Sequence, residues 1–160
     1  MVILRDLTLL TFILLPTMAW GGGILPATDL HQDGKEASRT GKPIVILVSA
    51  ADCPYCEVLK DNVFIGMERD ERIILRELAT DKPIHLVDFD GSATNHQTFT
   101  SKQRLFFTPT VLFLDGTGRP LAKALVGVTN VDFYLYYLEQ RIDKSKQILD
   151  PGNSAEIVID

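Results

Sequence analysis

Cys53 and Cys56 are the only cysteines in the 160-residue chain, and they stand in the stretch Ser49-Ala50-Ala51-Asp52-Cys53-Pro54-Tyr55-Cys56-Glu57-Val58-Leu59-Lys60. An apolar run precedes the pair and a helix-like pattern begins at its first member. That order puts the Cys53 sulfur at a helix N-terminus, where free backbone N–H groups and the helix dipole favour thiolate over thiol. Cys53 is therefore expected to be the exposed attacking sulfur. Cys56, one turn further in, can close a disulfide with it without backbone movement. Two cysteines so close in sequence enclose a very short loop, which restrains the unfolded chain little and makes a poor structural staple. Redox exchange is the better reading of the pair.

The elements needed to hold this pair can be read on either side of it. Residues 24–30 look like an extended lead-in, and Asp29 or Asp33 can cap a short helix ending near Thr40, weakened by Gly34. Gly41 suits the end of that helix and Pro43 forbids its continuation. Ile44-Val45-Ile46-Leu47-Val48 is a continuous apolar, β-branched run, as expected of a strand covered on both faces. From Pro54 to about Thr80, Val58, Leu59, Val63, Phe64, Met67, Ile73, Ile74 and Leu78 recur at helical spacings, predicting two helical pieces or one kinked helix. Residues 84–89 and Thr110-Val111-Leu112-Phe113-Leu114 are further strands, with a short helix around 101–105 between them. Asp115-Gly116-Thr117-Gly118-Arg119-Pro120 is a turn, and 121–126 completes a hairpin. Asn130 can cap a last helix with Val131, Tyr134, Leu135 and Leu138 on its apolar stripe. The order implies an α/β fold with a central mixed sheet flanked by helices on both faces. Right-handed crossovers then place Cys53 at the C-terminal edge of the central strand.

Residues 1–21 read as a signal peptide or an uncleaved N-terminal anchor. Arg5 precedes an apolar run from Leu7 to Leu15, and Thr17-Met18-Ala19 offers small residues for cleavage before Trp20-Gly21-Gly22-Gly23. A buried N-terminal helix ranks behind both. Residues 22–145 then form one domain and 146–160 a C-terminal tail, in which Glu156-Ile157-Val158-Ile159 is either loose or an added edge strand. Net charge is −5 and no basic cluster is long enough for a nucleic-acid footprint, so no nucleic-acid partner is expected.

Gly41-Lys42-Pro43, Cys53-Pro54-Tyr55-Cys56, Phe107-Thr108-Pro109-Thr110 and Gly127 stand in the order and spacing of a known family. On these motifs the chain, over roughly residues 28–140, resembles the thioredoxin superfamily and, more narrowly, the small exported thioredoxin-like proteins of bacteria. The resemblance implies a thioredoxin fold and a thiol-disulfide oxidoreductase with Cys53 and Cys56 catalytic. It also implies a cis bond before Pro109, a substrate chain pairing with the backbone of Thr108, and Pro54 and Tyr55 facing the substrate. Protein disulfides would be the substrates, outside the cytoplasm in the periplasm or tethered there by the N-terminal segment. A protein electron donor, soluble or membrane-bound, would restore the dithiol of what is expected to be a monomer. Three positions depart from the family pattern: Asp52 replaces the usual tryptophan, Leu47 stands where thioredoxins proper carry a buried acid, and Glu57 follows Cys56 directly. The family carries threonine at the Thr108 position in isomerases, so isomerase, oxidase and a binding or chaperone-like module with a redox switch stand beside the reductase reading.

No cofactor or metal is expected. His31, His85 and His96 lie on separate segments and read as surface or loop residues, and Glu57 occupies the position where haem attachment needs histidine. Phe106, Phe107, Phe133, Tyr134, Tyr136 and Tyr137 read as core or rim residues, with an exposed docking patch as the alternative.

Overall fold

In the computed structural model, which describes residues 23–150, one four-stranded sheet carries the molecule. β1 (Ile44–Ser49) is buried at every position. It lies between β2 (Ile74–Ala79), to which it runs parallel, and β5 (Thr110–Leu114), to which it runs antiparallel. β6 (Leu125–Val126) closes the far edge against β5, giving the order β2-β1-β5-β6. β3 (His85–Val87) and β4 (Ala93–Asn95) form a separate two-stranded sheet.

Strand alternation sends neighbouring side chains to opposite faces, and each face has its own helical cover. Val45, Leu47, Leu75, Val111 and Phe113 pack against α2 (Pro54–Asn62) through Leu59, and against α4 (Val131–Leu149) through Tyr134, Leu138 and Ile142. Ile44, Ile46, Val48, Ile74, Leu78 and Leu114 pack against α1 (Leu30–Thr40) through Leu30 and Ala37, and against Phe99 of α3 (His96–Lys102). The mixed sheet with helices on both faces is the fold expected from the sequence.

The helix ends follow their capping residues. The Asp29 side chain accepts the Gln32 amide at 2.8 Å, Asn95 the Thr98 amide at 2.8 Å, and Asn130 the Asp132 amide at 2.9 Å. Gly41 ends α1 with φ of 67°, a conformation that glycine adopts without the Cβ penalty.

Three assignments differ from the sequence reading. Ile74 and Leu78 belong to a strand, because α2 stops at Asn62 and only a 3₁₀ turn at Met67–Arg69 follows. Strand β2 hides its period of two: Arg76 and Glu77 interrupt its apolar run, one on each face, and each is satisfied by a partner from a helix. The helix expected around 101–105 begins earlier, at His96, where Asn95 caps it. The last helix continues to Leu149, past the boundary expected at residue 145. Residues 1–21 and the 151–160 part of the tail, with the edge strand considered there, lie outside the described residues. No described helix is long and apolar enough to cross a membrane.

Candidate active site

β1 ends at Ser49, and Ala50–Asp52 turn the chain into α2. Cys53 is the N-cap of that helix: its carbonyl and its sulfur both accept the Cys56 amide, at 2.9 Å and 3.2 Å. Pro54 takes the first helical position, where the missing N–H costs no hydrogen bond. The two sulfurs are bonded at 2.06 Å with the Cα atoms 5.2 Å apart. Cys53 is 7% exposed and Cys56 fully buried. The expected order of access therefore holds, but Cys53 shows only a narrow face of itself and is less exposed than expected.

The second half of the site arrives through the sheet. In the antiparallel β1–β5 pair Val48 faces Thr110, so the residues before β5 lie beside the loop that leaves β1 for Cys53. Those residues include the Thr108–Pro109 bond, which is cis. Pro109 is held from the other side, where its carbonyl accepts the Gly127 amide at 2.8 Å, and Thr110 Oγ1 donates to the Phe107 carbonyl at 2.7 Å. Tyr55 stands out of the surface at 60% exposure, and Pro54 is also exposed. The register thus brings together the edge that carries Cys53, Cys56, Thr108 and Pro109, with Pro54 and Tyr55 on the first turn of α2.

The three departures also find their places. Leu47 is fully buried in the sheet beneath α2, and Asp52 is exposed. Glu57 is exposed and bonded to Lys60 Nζ at 3.0 Å. Lys60 also meets Glu77 of β2 at 2.8 Å, and Ser49 Oγ donates a short hydrogen bond to the same Glu77 oxygen. Burial pulls the Lys60 ammonium down, but the hydrogen bonds to Glu77 and Glu57 outweigh it and hold it above the ordinary lysine range. This polar cluster was missed from the sequence because Glu77 was assigned to a helix, which left its facing residues unknown. The i, i+4 spacing of Cys56 and Lys60 marks those two as neighbours on α2, but no local pattern points to Ser49 or Glu77.

His96 corrects a second expectation. It is fully buried, with Nδ1 accepting the Ala79 amide at 3.0 Å and Nε2 donating to the Ala27 carbonyl at 2.6 Å. His85 is exposed, and half-buried His31 bonds the Phe89 carbonyl through Nδ1 at 2.9 Å. Among the described residues no group of three or more His, Cys, Asp and Glu is placed to hold a metal ion. Of the six aromatics expected in the core or rim, only Tyr134 is buried. Its hydroxyl has no partner, and burial pushes the phenol up to about 12. Phe106, Phe107, Phe133, Tyr136 and Tyr137 are all exposed. A cleft of about 1020 Å³ opens on the opposite face of the sheet, lined in part by Phe99, Leu112 and Leu114, and neither cysteine borders it.

Comparison with known structures returns the same architecture. A DsbH oxidoreductase superposes with a TM-score of 0.55 at 14% identity, over 81% of this chain and 92% of that one. A poplar thioredoxin h mutant gives 0.57 at 20% identity, over 86% and 95%. A thioredoxin from Thermus thermophilus gives 0.54 at 20% identity, over 82% and 98%. No curated protein matches the chain in sequence. The sequence description of the thioredoxin-like domain matches residues 30–148. A bonded Cys-x-x-Cys pair at a helix start in this fold is the centre of a thiol-disulfide oxidoreductase. The chain, matched over most of its length, belongs to the thioredoxin-like domain family.

Proposed function

We propose that the protein reduces disulfides in protein substrates outside the cytoplasm, with Cys53 as attacker and Cys56 as resolver. The observation that carries this reading is the Cys53–Cys56 disulfide at the N-cap of α2, on the sheet edge shared with the cis Thr108–Pro109 bond. In the reduced protein the Cys53 thiolate attacks one sulfur of a substrate disulfide, forming a mixed disulfide as the other substrate sulfur leaves as thiolate. The Cys56 thiolate then attacks Cys53 Sγ, releasing the second substrate thiolate and closing the Cys53–Cys56 bond. Two electrons pass from the dithiol to the substrate, and two from a protein dithiol donor restore it. A membrane-bound donor fits a protein working outside the cytoplasm, which is the reading of residues 1–21 as an export signal or anchor. The Thr108 backbone, Pro109, Pro54 and Tyr55 form the wall against which the substrate chain lies, and the protein works as a monomer.

Threonine before the cis proline favours one alternative, isomerase action, in which the mixed disulfide resolves within the substrate. A Cys56→Ser variant tests both readings: it is expected to accumulate mixed disulfides on Cys53, and the captured proteins identify the clients. Absence of any adduct on Cys53 would sink the exchange reading. Partner capture surviving in a Cys53→Ser/Cys56→Ser protein would point instead to a binding module. Equilibration with glutathione then gives the direction, since a pair more reducing than its compartment acts as a reductase.

A further inference from the structure

Beneath the helix that carries the cysteines, three polar side chains meet on a sheet face that is otherwise apolar. Glu77 faces Leu47 in the parallel β1–β2 pair, on the side where Leu47 and Leu75 pack against Leu59. Its carboxylate accepts hydrogen bonds from Ser49 Oγ and from Lys60 Nζ. Lys60 and Glu77 are only 25% and 21% exposed, so both are partly desolvated.

Helix geometry ties this cluster to the inner cysteine. Lys60 lies four residues after Cys56, on the same side of α2, and helical side chains lean towards the N-terminus. The Lys60 stem therefore lies over the turn that holds Cys56. Cys56 is fully buried, so a thiolate formed there has little water to stabilise it and depends on charges supplied by the protein. On its own helix the charged neighbours of that turn are Glu57 and Lys60, which pair with each other, and Lys60 pairs in turn with Glu77 of β2. Asp52 and Asp81, both exposed, lie at the loop before Cys53, where the Asp81 carboxylate accepts the Ala51 amide at 2.9 Å. Lys60 is the cation in this set, and without it the carboxylates of Glu57 and Glu77 lose their shared partner.

We propose that Lys60, held by Glu77 and Glu57, is the positioning residue that stabilises the Cys56 thiolate for the resolving step. The proposal rests on Cys53 being the attacker and Cys56 the resolver. In that step the Cys56 thiol gives its proton to solvent, its sulfur bonds Cys53 Sγ, and the bond from Cys53 to the substrate breaks with the substrate sulfur leaving as thiolate. The two carboxylates and the ammonium act in opposite directions, so removing them one at a time gives shifts of opposite sign.

The test uses the reduced full chain and dithiobis(nitrobenzoic acid), whose released thiolate is coloured. Attack by Cys53 releases one equivalent in a first phase, and attack by Cys56 on the Cys53 adduct releases the other in a second. Lys60→Met is expected to move the pH midpoint of the second phase up by about one unit and to slow that phase about tenfold near neutral pH. Glu77→Gln should move the midpoint down, Lys60→Arg should keep it, and the first phase should stay within about twofold in all three. An unchanged midpoint in Lys60→Met would overturn the proposal. So would a shift of the same sign in Lys60→Met and Glu77→Gln, which is what a loosened helix produces. A first phase that survives Cys53→Ser at its full rate would overturn Cys53 as attacker, and this inference with it.

Discussion

Gly34 of α1 is pressed against Gly116 of the turn after β5, so closely that a methyl group on either would run into the carbonyl oxygen of the other. Ser38 completes the contact from the next turn of the helix, donating to the Gly34 carbonyl at 2.9 Å. Alanine is a better helix former than glycine by about 1 kcal/mol, and on propensity alone Gly34→Ala would stabilise α1. Here backbone would have to move on both sides of the contact, a strain of about 1–3 kcal/mol. Urea unfolding is expected to show Gly34→Ala destabilised by about 2 kcal/mol. A stabilised variant would mean that the helix can lift off the turn without loss.

His96 gives a pH dependence of stability. Burial holds its imidazole below the ordinary value of 6.5, against the opposing pull of the Ala27 carbonyl and Glu77. The folded state therefore binds a proton less readily than the unfolded chain. Stability from this group is fully present above about pH 6.5 and is lost as pH falls from there through the folded value. His96→Gln should remove that component, so the difference in unfolding free energy between the two proteins narrows on acidification. His96→Ala would leave the Ala79 amide and the Ala27 carbonyl without their partner and should cost about 2–4 kcal/mol near neutral pH. A constant difference between the unaltered protein and His96→Gln across pH 5 to 7 would show that the imidazole does not resist protonation.

Much of this architecture was legible because its signals are local. The buried run of β1, the Asp29 and Asn130 caps, Gly41 and the turn after β5 each depend on a few adjacent residues. The cysteine pair was legible for the same reason. β2 was not, because Arg76 and Glu77 are satisfied by Asp33 and Lys60, partners far along the chain, and an apolar run broken by two charges matches a helix as well as a strand. His96 was misplaced likewise: its two hydrogen-bond partners are backbone groups of Ala27 and Ala79, which leave no mark in side-chain pattern. The exposed phenylalanines before Thr108 could not be told from core residues by type alone.

The Asp33–Arg76 pair, which ties α1 to β2, should behave asymmetrically. Two hydrogen bonds join the groups, at 2.9 Å and 2.6 Å, and the Asp33 side chain is 9% exposed. Burial raises the Asp33 carboxyl above its ordinary value, and the hydrogen bonds and charge of Arg76 offset only part of that. A raised acid binds protons more readily in the folded state, so its contribution becomes more favourable as pH falls through the folded value towards 3.8. Arg76→Ala strands the carboxylate and should cost about 3 kcal/mol near neutral pH. Asp33→Asn should cost less than about 1 kcal/mol, and adding it to Arg76→Ala should recover much of the loss. Additive losses in the double variant would show that the two side chains are not coupled.

Phe106 and Phe107, exposed at 69% and 72%, directly precede the cis Thr108–Pro109 bond and give the clearest separation of stability from substrate handling. Each side chain has only a small part of its surface covered in the folded state, so Phe106→Ala and Phe107→Ala should each change unfolding free energy by less than about 0.5 kcal/mol. Against a protein substrate lying along Thr108 and Pro109 the same rings would be covered, and covering a phenylalanine is worth about 1.5–3 kcal/mol. Taking the lower figure, each substitution should lower kcat/KM for a protein disulfide about tenfold. Reduction of a small-molecule disulfide, which is too short to reach the rings, should stay unchanged. Equal losses on both substrates would place the effect at Cys53 and not on the surface beside it. No loss on either would mean that substrates approach from the Tyr55 side, leaving the two rings without a role in binding.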